Sequence, residues 1–253
     1  MSLPYGSAAV EAVVFDLDDV LVPFQTVAAW QWAWRPQGPV LGERRVLAAI
    51  RRSLKSWDRR RWHGVTGREP PADLAAFRRH LEESLANVAG HPLPPAETEA
   101  VVRRIQHPAG EVERYPDVAP ALARLTAAGI RWGVATPLPA ESAQWLLKRS
   151  GIDPARLLMT GEAAPGLPDR AAFRAAATGL SAPVERTAFV GDLFWSDVRA
   201  AARAGLPSLL VDRLEVWPKV QAGRIVTLDQ LEPGLAAGGS ADAAESGADG
   251  DSA

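Results

Sequence analysis

The sequence predicts an α/β protein, a Rossmann-like parallel sheet core carrying a helical insertion, and three observations predict it. A short apolar run, Val13-Val14-Phe15, ends abruptly in the acids Asp16, Asp18 and Asp19. From Tyr115 onward, strand-like apolar runs alternate with amphipathic helical stretches, the mark of repeated βα units and a parallel sheet with helices on both faces. Between these regions lies a long stretch that reads as helix almost throughout.

Taken in order, Glu11 to Phe15 is the first strand, and Val20 to Phe24 leads out of the sheet. In the helical stretch, Val46, Leu47, Ile50 and Leu54 fall on one stripe, with Arg44, Arg45, Arg51 and Arg52 largely off it. Leu74, Phe77, Leu81 and Leu85 repeat the pattern, and Val101, Val102 and Ile105 mark a third segment. Proline and glycine punctuate the gaps at 36–39, 67–71 and 90–95. Asp117 is the expected N-cap of a helix with Val118, Leu122 and Leu125 inward, closed by Gly129. Strand Ile130 to Thr136, helix Glu141 to Arg149, strand Leu157 to Gly161 and helix Ala171 to Gly179 follow. The series ends with strand Thr187 to Gly191, helix Ser196 to Ala204, and strands Ser208 to Asp212 and Ile225 to Leu228. The expected organisation is a core of 1–24 and 112–233, a helical insertion of 25–111, and an acidic tail of 234–253 too poor in apolar periodicity to pack.

Composition narrows the function. Of 253 residues 47% are hydrophobic, ample for a core, and a net charge of -2 gives no global pull toward nucleic acid or membrane. The absence of cysteine excludes disulfides, thiolate metal sites and a cysteine nucleophile. Met1 to Val10 lacks a basic start followed by an apolar run, and no stretch has the length of a membrane span, so a cytoplasmic protein is expected.

The acids are the chemical signal. In open α/β sheets ligands collect beyond the carboxyl ends of the strands, and crowded carboxylates there are relieved by a divalent cation on oxygen ligands. Asp192 ends a second apolar run, Ala188-Phe189-Val190-Gly191, and Asp197 follows five residues later. Thr136 ends a third, Trp132-Gly133-Val134-Ala135.

These motifs, in this order and with a helical insertion after the first, resemble a haloacid dehalogenase (HAD) superfamily hydrolase of the helical-cap type over Glu11 to Asp212. Tyr115-Pro116-Asp117-Val118 resembles the segment where such chains return from cap to core. The resemblance implies a Mg2+-dependent phosphohydrolase acting on a small phosphorylated metabolite. Asp16 is then the nucleophile that forms an aspartyl phosphate, and Asp18 the acid and base with a raised pKa. The metal is implied at Asp16, the Asp18 main-chain carbonyl, Asp192 and Asp197, with Thr136 donating to a phosphoryl oxygen. Asp18 argues against the dehalogenase branch, which lacks that second acid; a phosphomutase uses the same residues.

Two positions depart from the family pattern. Gly166-Leu167-Pro168-Asp169-Arg170 matches a segment in which the family carries a lysine, but Leu167 stands in its place. Pro137 follows Thr136 and brings no backbone N–H to the phosphate. Losing one preorganised donor costs about 10²- to 10³-fold in rate. Either another cation substitutes, or the chain is a catalytically degenerate member binding a phosphorylated ligand or a protein partner. Arg170 is one candidate phosphate-binding substitute. Phe24 to Gln106 is another source, with 14 Lys and Arg against 8 Asp and Glu. Within it Asp58-Arg59-Arg60-Arg61 reads as a solvated helix face. Trp30, Trp32 and Trp34 read as packing between insertion and core, or as an aromatic wall for the substrate, and Trp195 as closing the site floor. Asp19 reads as a turn residue and His63, His80, His91 and His107 as surface residues. Neither substrate identity nor oligomeric state is legible.

Overall fold

The computed structural model describes residues 10–23, 30, 31, 34, 42–68, 74–106, 113–160, 170–220 and 223–231. The expected tail, Trp32, His107 and the segment with Leu167 lie outside these residues. Six parallel strands form one sheet in the order β3-β2-β1-β4-β5-β6. They are β1 (Ala12–Phe15), β2 (Arg131–Ala135), β3 (Leu157–Met159), β4 (Thr187–Gly191), β5 (Ser208–Val211) and β6 (Arg224–Ile225). The last is shorter than expected, because Leu228 enters a 3-10 turn, Leu228–Gln230. From β1 the chain builds outward through β2 and β3, then returns to lay β4 on the opposite side of β1. That reversal opens a crevice between the carboxyl ends of β1 and β4, where such sheets bind ligands.

Side chains of the central strand alternate between two helical layers, as the pleat requires. Val13 and Phe15 pack with α4 (Val118–Ala127) and α5 (Ala140–Arg149), whereas Val14 faces α6 (Arg170–Gly179) and α7 (Ala200–Ala204). The expected helix from Ser196 begins earlier and wider, as a π-helical turn over Phe194–Arg199 that runs into α7. Asp117 is the N-cap of α4 as expected, but its side chain makes no capping hydrogen bond. Its Oδ2 instead accepts from Arg213 Nη1 at 2.8 Å and from the Leu228 amide at 2.6 Å, tying the start of α4 to the 3-10 turn at Leu228–Gln230.

The insertion contributes α1 (Glu43–Val65), α2 (Leu74–Ala89) and α3 (Pro95–Gln106). Val46, Ile50 and Leu54 of the expected stripe are buried, with Leu81, Leu85, Val101 and Val102 against them. The side chains of Leu74, Phe77 and Ile105 are not among those described. These buried residues form one apolar cluster with Leu193, Phe194, Val198, Leu210 and Trp217 of the sheet layer, and Trp30 belongs to it. Each fully buried Leu or Ile in it contributes about 1.5–3 kcal/mol. Among the described residues no helix is long and apolar enough to cross a membrane.

Candidate active site

The site begins with backbone. The amide of Asp16 donates to the Val190 carbonyl at 2.9 Å, so β1 and β4 stay paired one residue beyond β1 and Asp16 lies at the crevice. The chain then turns tightly: the Leu21 and Val22 amides both reach the Leu17 carbonyl, and the Asp19 amide donates to the Val22 carbonyl at 2.8 Å. Asp19 holds this turn with φ of 55°, a left-handed conformation that a short polar side chain tolerates, in agreement with its reading as a turn residue. Tyr115 braces the turn from the return segment. Its hydroxyl donates to Asp19 Oδ1 at 3.4 Å, and the Arg213 guanidinium lies 3.9 Å from its ring centre.

Three carboxylates converge here. One oxygen each of Asp16, Asp192 and Asp197 lie within 4.8 Å of one another. Gly191 makes the approach possible, since a Cβ there would sit 2.6 Å from Asp197 Cβ and 2.7 Å from its Oδ2. Asp197 Oδ2 accepts from the Leu193 amide at 3.2 Å, which closes the loop between them. Asp18 Oδ1 is buried and has no hydrogen-bond partner among the described residues. The donor set is therefore all oxygen, includes an orphaned buried carboxylate atom, and suits a hard divalent cation.

Burial and mutual repulsion set the electrostatics. Burial, then the charges of Asp197 and Asp18, push Asp16 well above the usual carboxylate range, and the Arg61 guanidinium pulls it back. Asp192 is raised by burial and by Asp197 and Asp16. Asp18 is pushed up to about 7 by burial and by Asp19, again against Arg61. Asp197 is raised by burial, with Arg61 and the Leu193 amide opposing. A cation held by the Asp16, Asp192 and Asp197 carboxylates favours their ionised forms and opposes these shifts, whereas the Asp18 carboxyl is not one of that group.

Thr136 directly follows β2, which pairs with β1, and is fully buried. Its Oγ1 accepts from the Leu138 amide at 3.3 Å, so the amide after Pro137 orients the hydroxyl and leaves its hydrogen to donate. Arg170 is exposed at the first position of α6, and among the described residues no hydrogen bond or ion pair joins it to the acids. Trp195 is half-buried and packs on Phe194 and Trp62.

Two expectations fail in the insertion. Asp58-Arg59-Arg60-Arg61 is no solvated face: Asp58 is fully buried and Arg61 is 7% exposed, while Arg59 points outward. Arg61 Nη1 lies 3.4 Å from Asp197 Oδ1, and Asp58 accepts from the Trp195 and Ser196 amides at 2.9 and 2.7 Å. The signal lay in the spacing, because Ile50, Leu54, Asp58 and Arg61 continue one stripe at intervals of four, four and three. His80 is likewise no surface residue. It is buried, joined to Ser53 Oγ at 2.6 Å and stacked on Trp57.

The profile described as a hydrolase, haloacid dehalogenase-like hydrolase, matches residues 10–205. A curated relative, glyceraldehyde 3-phosphate phosphatase of Methanopyrus kandleri, is 27% identical over 213 residues, 81% of this chain and 84% of its own. A HAD family hydrolase from Deinococcus radiodurans R1, solved with bound phosphate and sodium, superposes with a TM-score of 0.61 at 19% identity over 88% of this chain and 94% of that one. L-2-haloacid dehalogenase from Xanthobacter autotrophicus gives 0.57 at 20% identity over 81% and 78%.

Proposed function

This chain belongs to the haloacid dehalogenase-like hydrolase family and is a hydrolase, and on that premise we propose that it is a magnesium-dependent phosphohydrolase acting on a small phosphorylated metabolite. The observation that carries this reading is a second acid, Asp18, beside the nucleophile Asp16 and pushed up to about 7. A carboxyl with that pKa holds a proton near neutral pH and can surrender it. The phosphatase relative supports the substrate class.

In the proposed reaction an Asp16 carboxylate oxygen attacks phosphorus and the bond to the leaving oxygen breaks. Asp18 gives its proton to that oxygen. Asp18 then takes a proton from water as the water oxygen attacks phosphorus and the bond to Asp16 breaks, returning both carboxyl groups to their starting states. Thr136 donates to a phosphoryl oxygen. Asp16, the Asp18 carbonyl, Asp192 and Asp197 would hold Mg2+, which would supply charge stabilisation to the transferring group. Residues 25–111 act as a helical cap that closes over the substrate and limits water, above a core of 1–24 and 112–233.

Trapping tests the covalent step. Acid quench during turnover should leave one phosphoryl group on the peptide containing Asp16, detected by mass, and none in Asp16→Asn. An unmodified peptide under conditions of rapid phosphate release would remove Asp16 from the nucleophile role. The second reading, a degenerate member that binds a phosphorylated ligand or a protein partner, draws on Pro137 and Leu167. Mg2+-dependent ligand binding with no phosphate release would favour it.

A further inference from the structure

Crowded acids leave a phosphoryl site short of positive charge. A phosphate monoester brings further negative charge, and one divalent ion balances only part of the total. The three lysines of the chain do not serve the site. Lys55 lies over the Trp217 ring, 5.8 Å from its centre, and Lys148 and Lys219 are exposed. Among the described residues Arg61 is the cation ion-paired to the cluster, and its charge acts on Asp16, Asp18 and Asp197.

Its placement is built. Asp58, one helical turn before Arg61 on the same face of α1, accepts from two consecutive amides of the turn that precedes Asp197. Trp62, next to Arg61, packs on Trp195 at 5.9 Å between ring centres. Residues 58, 61 and 62 thus fix one turn of α1 against the loop that holds Asp192 and Asp197. A guanidinium held this way presents a planar fork that matches phosphoryl oxygens, with little reorganisation left to do at the moment of reaction.

We propose that Arg61, delivered from the insertion by α1, is the cation that binds the transferring phosphoryl group, and that Asp58 is the positioning residue that fixes it. This rests on the phosphohydrolase reading. It also gives α1 a catalytic purpose besides covering the crevice, because the site is incomplete without a residue from the insertion.

The test compares wild type, Arg61→Met, Arg61→Lys and Asp58→Asn, with the exposed neighbour Arg59→Met as control for net charge. Mg2+ affinity is measured first by calorimetry, then inorganic phosphate affinity at saturating Mg2+, then kcat and KM. Arg61→Met should bind Mg2+ within about threefold of wild type or more tightly, since a competing partner of Asp197 is gone, yet bind phosphate at least about tenfold more weakly. Its turnover should fall about 10²- to 10³-fold, with partial recovery in Arg61→Lys and no change in Arg59→Met. Asp58→Asn should weaken phosphate binding while sparing Mg2+.

Phosphate affinity and turnover in Arg61→Met equal to wild type would overturn the proposal. So would parallel loss of Mg2+ and phosphate affinity, which would make Arg61 a prop for Asp197 only. If Arg61→Met does not fold, Arg61→Lys decides: unchanged phosphate affinity without the fork contradicts the assignment. Failure of the underlying reading looks different, as Asp16→Asn would then keep wild-type turnover. A wild type that binds neither Mg2+ nor phosphate overturns both.

Discussion

Asp16 and Asp18 share one turn, yet their expected failures differ. Removing Asp18 as acid hurts most where the leaving oxygen most needs a proton. Asp18→Asn should therefore lower kcat about 10²- to 10⁴-fold on alkyl phosphates and far less on 4-nitrophenyl phosphate, whose leaving group departs as an anion. An equal loss on both esters would assign Asp18 another role. At Gly191 the space is taken by Asp197, so Gly191→Ala must displace a buried carboxylate. It should cost about 1–3 kcal/mol of stability by urea unfolding and weaken Mg2+ binding together. At this scale the sequence was most readable where acids end apolar runs, as at Asp16 and Asp192. It was least readable for Asp58 and Arg61, because charged side chains on a helix are usually solvated and burial is decided by a distant loop. The missing N–H of Pro137 was legible, but the contact from the Leu138 amide to Thr136 Oγ1 depends on the turn that follows β2 and was not.

Helix α1 shows what periodicity carries and where it stops. The apolar stripe ending at Leu54 placed the helix correctly, and the continuation through Asp58 and Arg61 kept its face while changing its chemistry. Segment ends moved by one to three residues, and a π-helical turn at Phe194–Arg199 replaced an expected α-helical start; Asp58 accepts from the Trp195 and Ser196 amides of that turn, and Asp197 from the Leu193 amide just before it. Between α1 and α2, Ser84 Oγ donates to Ser53 Oγ at 2.7 Å and His80 joins the same chain. Burial and the nearby Arg60 charge lower His80 from 6.5 to about 4. The unfolded chain thus binds more protons than the folded one across that window, and stability is lost as pH falls through it. Wild type should lose about 1–3 kcal/mol more than His80→Leu between neutral pH and about pH 4, read from urea midpoints at each pH. Parallel profiles for the two proteins would show that His80 is protonated at no cost.

At the level of the whole molecule, the insertion and the sheet layer share one apolar cluster rather than meeting across a thin seam. Unfolding should accordingly be a single transition by far-ultraviolet dichroism and by tryptophan fluorescence, and Trp217→Ala should lower both midpoints together, for a loss of about 3–5 kcal/mol of stability. Separate midpoints would mean that the insertion melts alone. The raised carboxyls of Asp16, Asp192 and Asp197 would give the proposed metal binding a definite pH dependence, since each would have to release its proton to act as a ligand. Mg2+ at about 100 times its Kd should raise Tm by roughly 5–10 °C at about pH 8 and by less at about pH 5.5. Chain order, sheet direction and the strand ends bearing acids were all written in the sequence as apolar runs and their terminators. The docking of α1 on the Asp192 to Asp197 loop was not, because it depends on contacts between segments more than a hundred residues apart. The central claim is tested most directly by steady-state phosphate release from a panel of phosphate monoesters, with Mg2+ and after chelation, for wild type and Asp16→Asn. Turnover that requires Mg2+ and falls at least about 10³-fold in Asp16→Asn is the predicted result; release that persists in that variant, or without any divalent metal, would contradict the account.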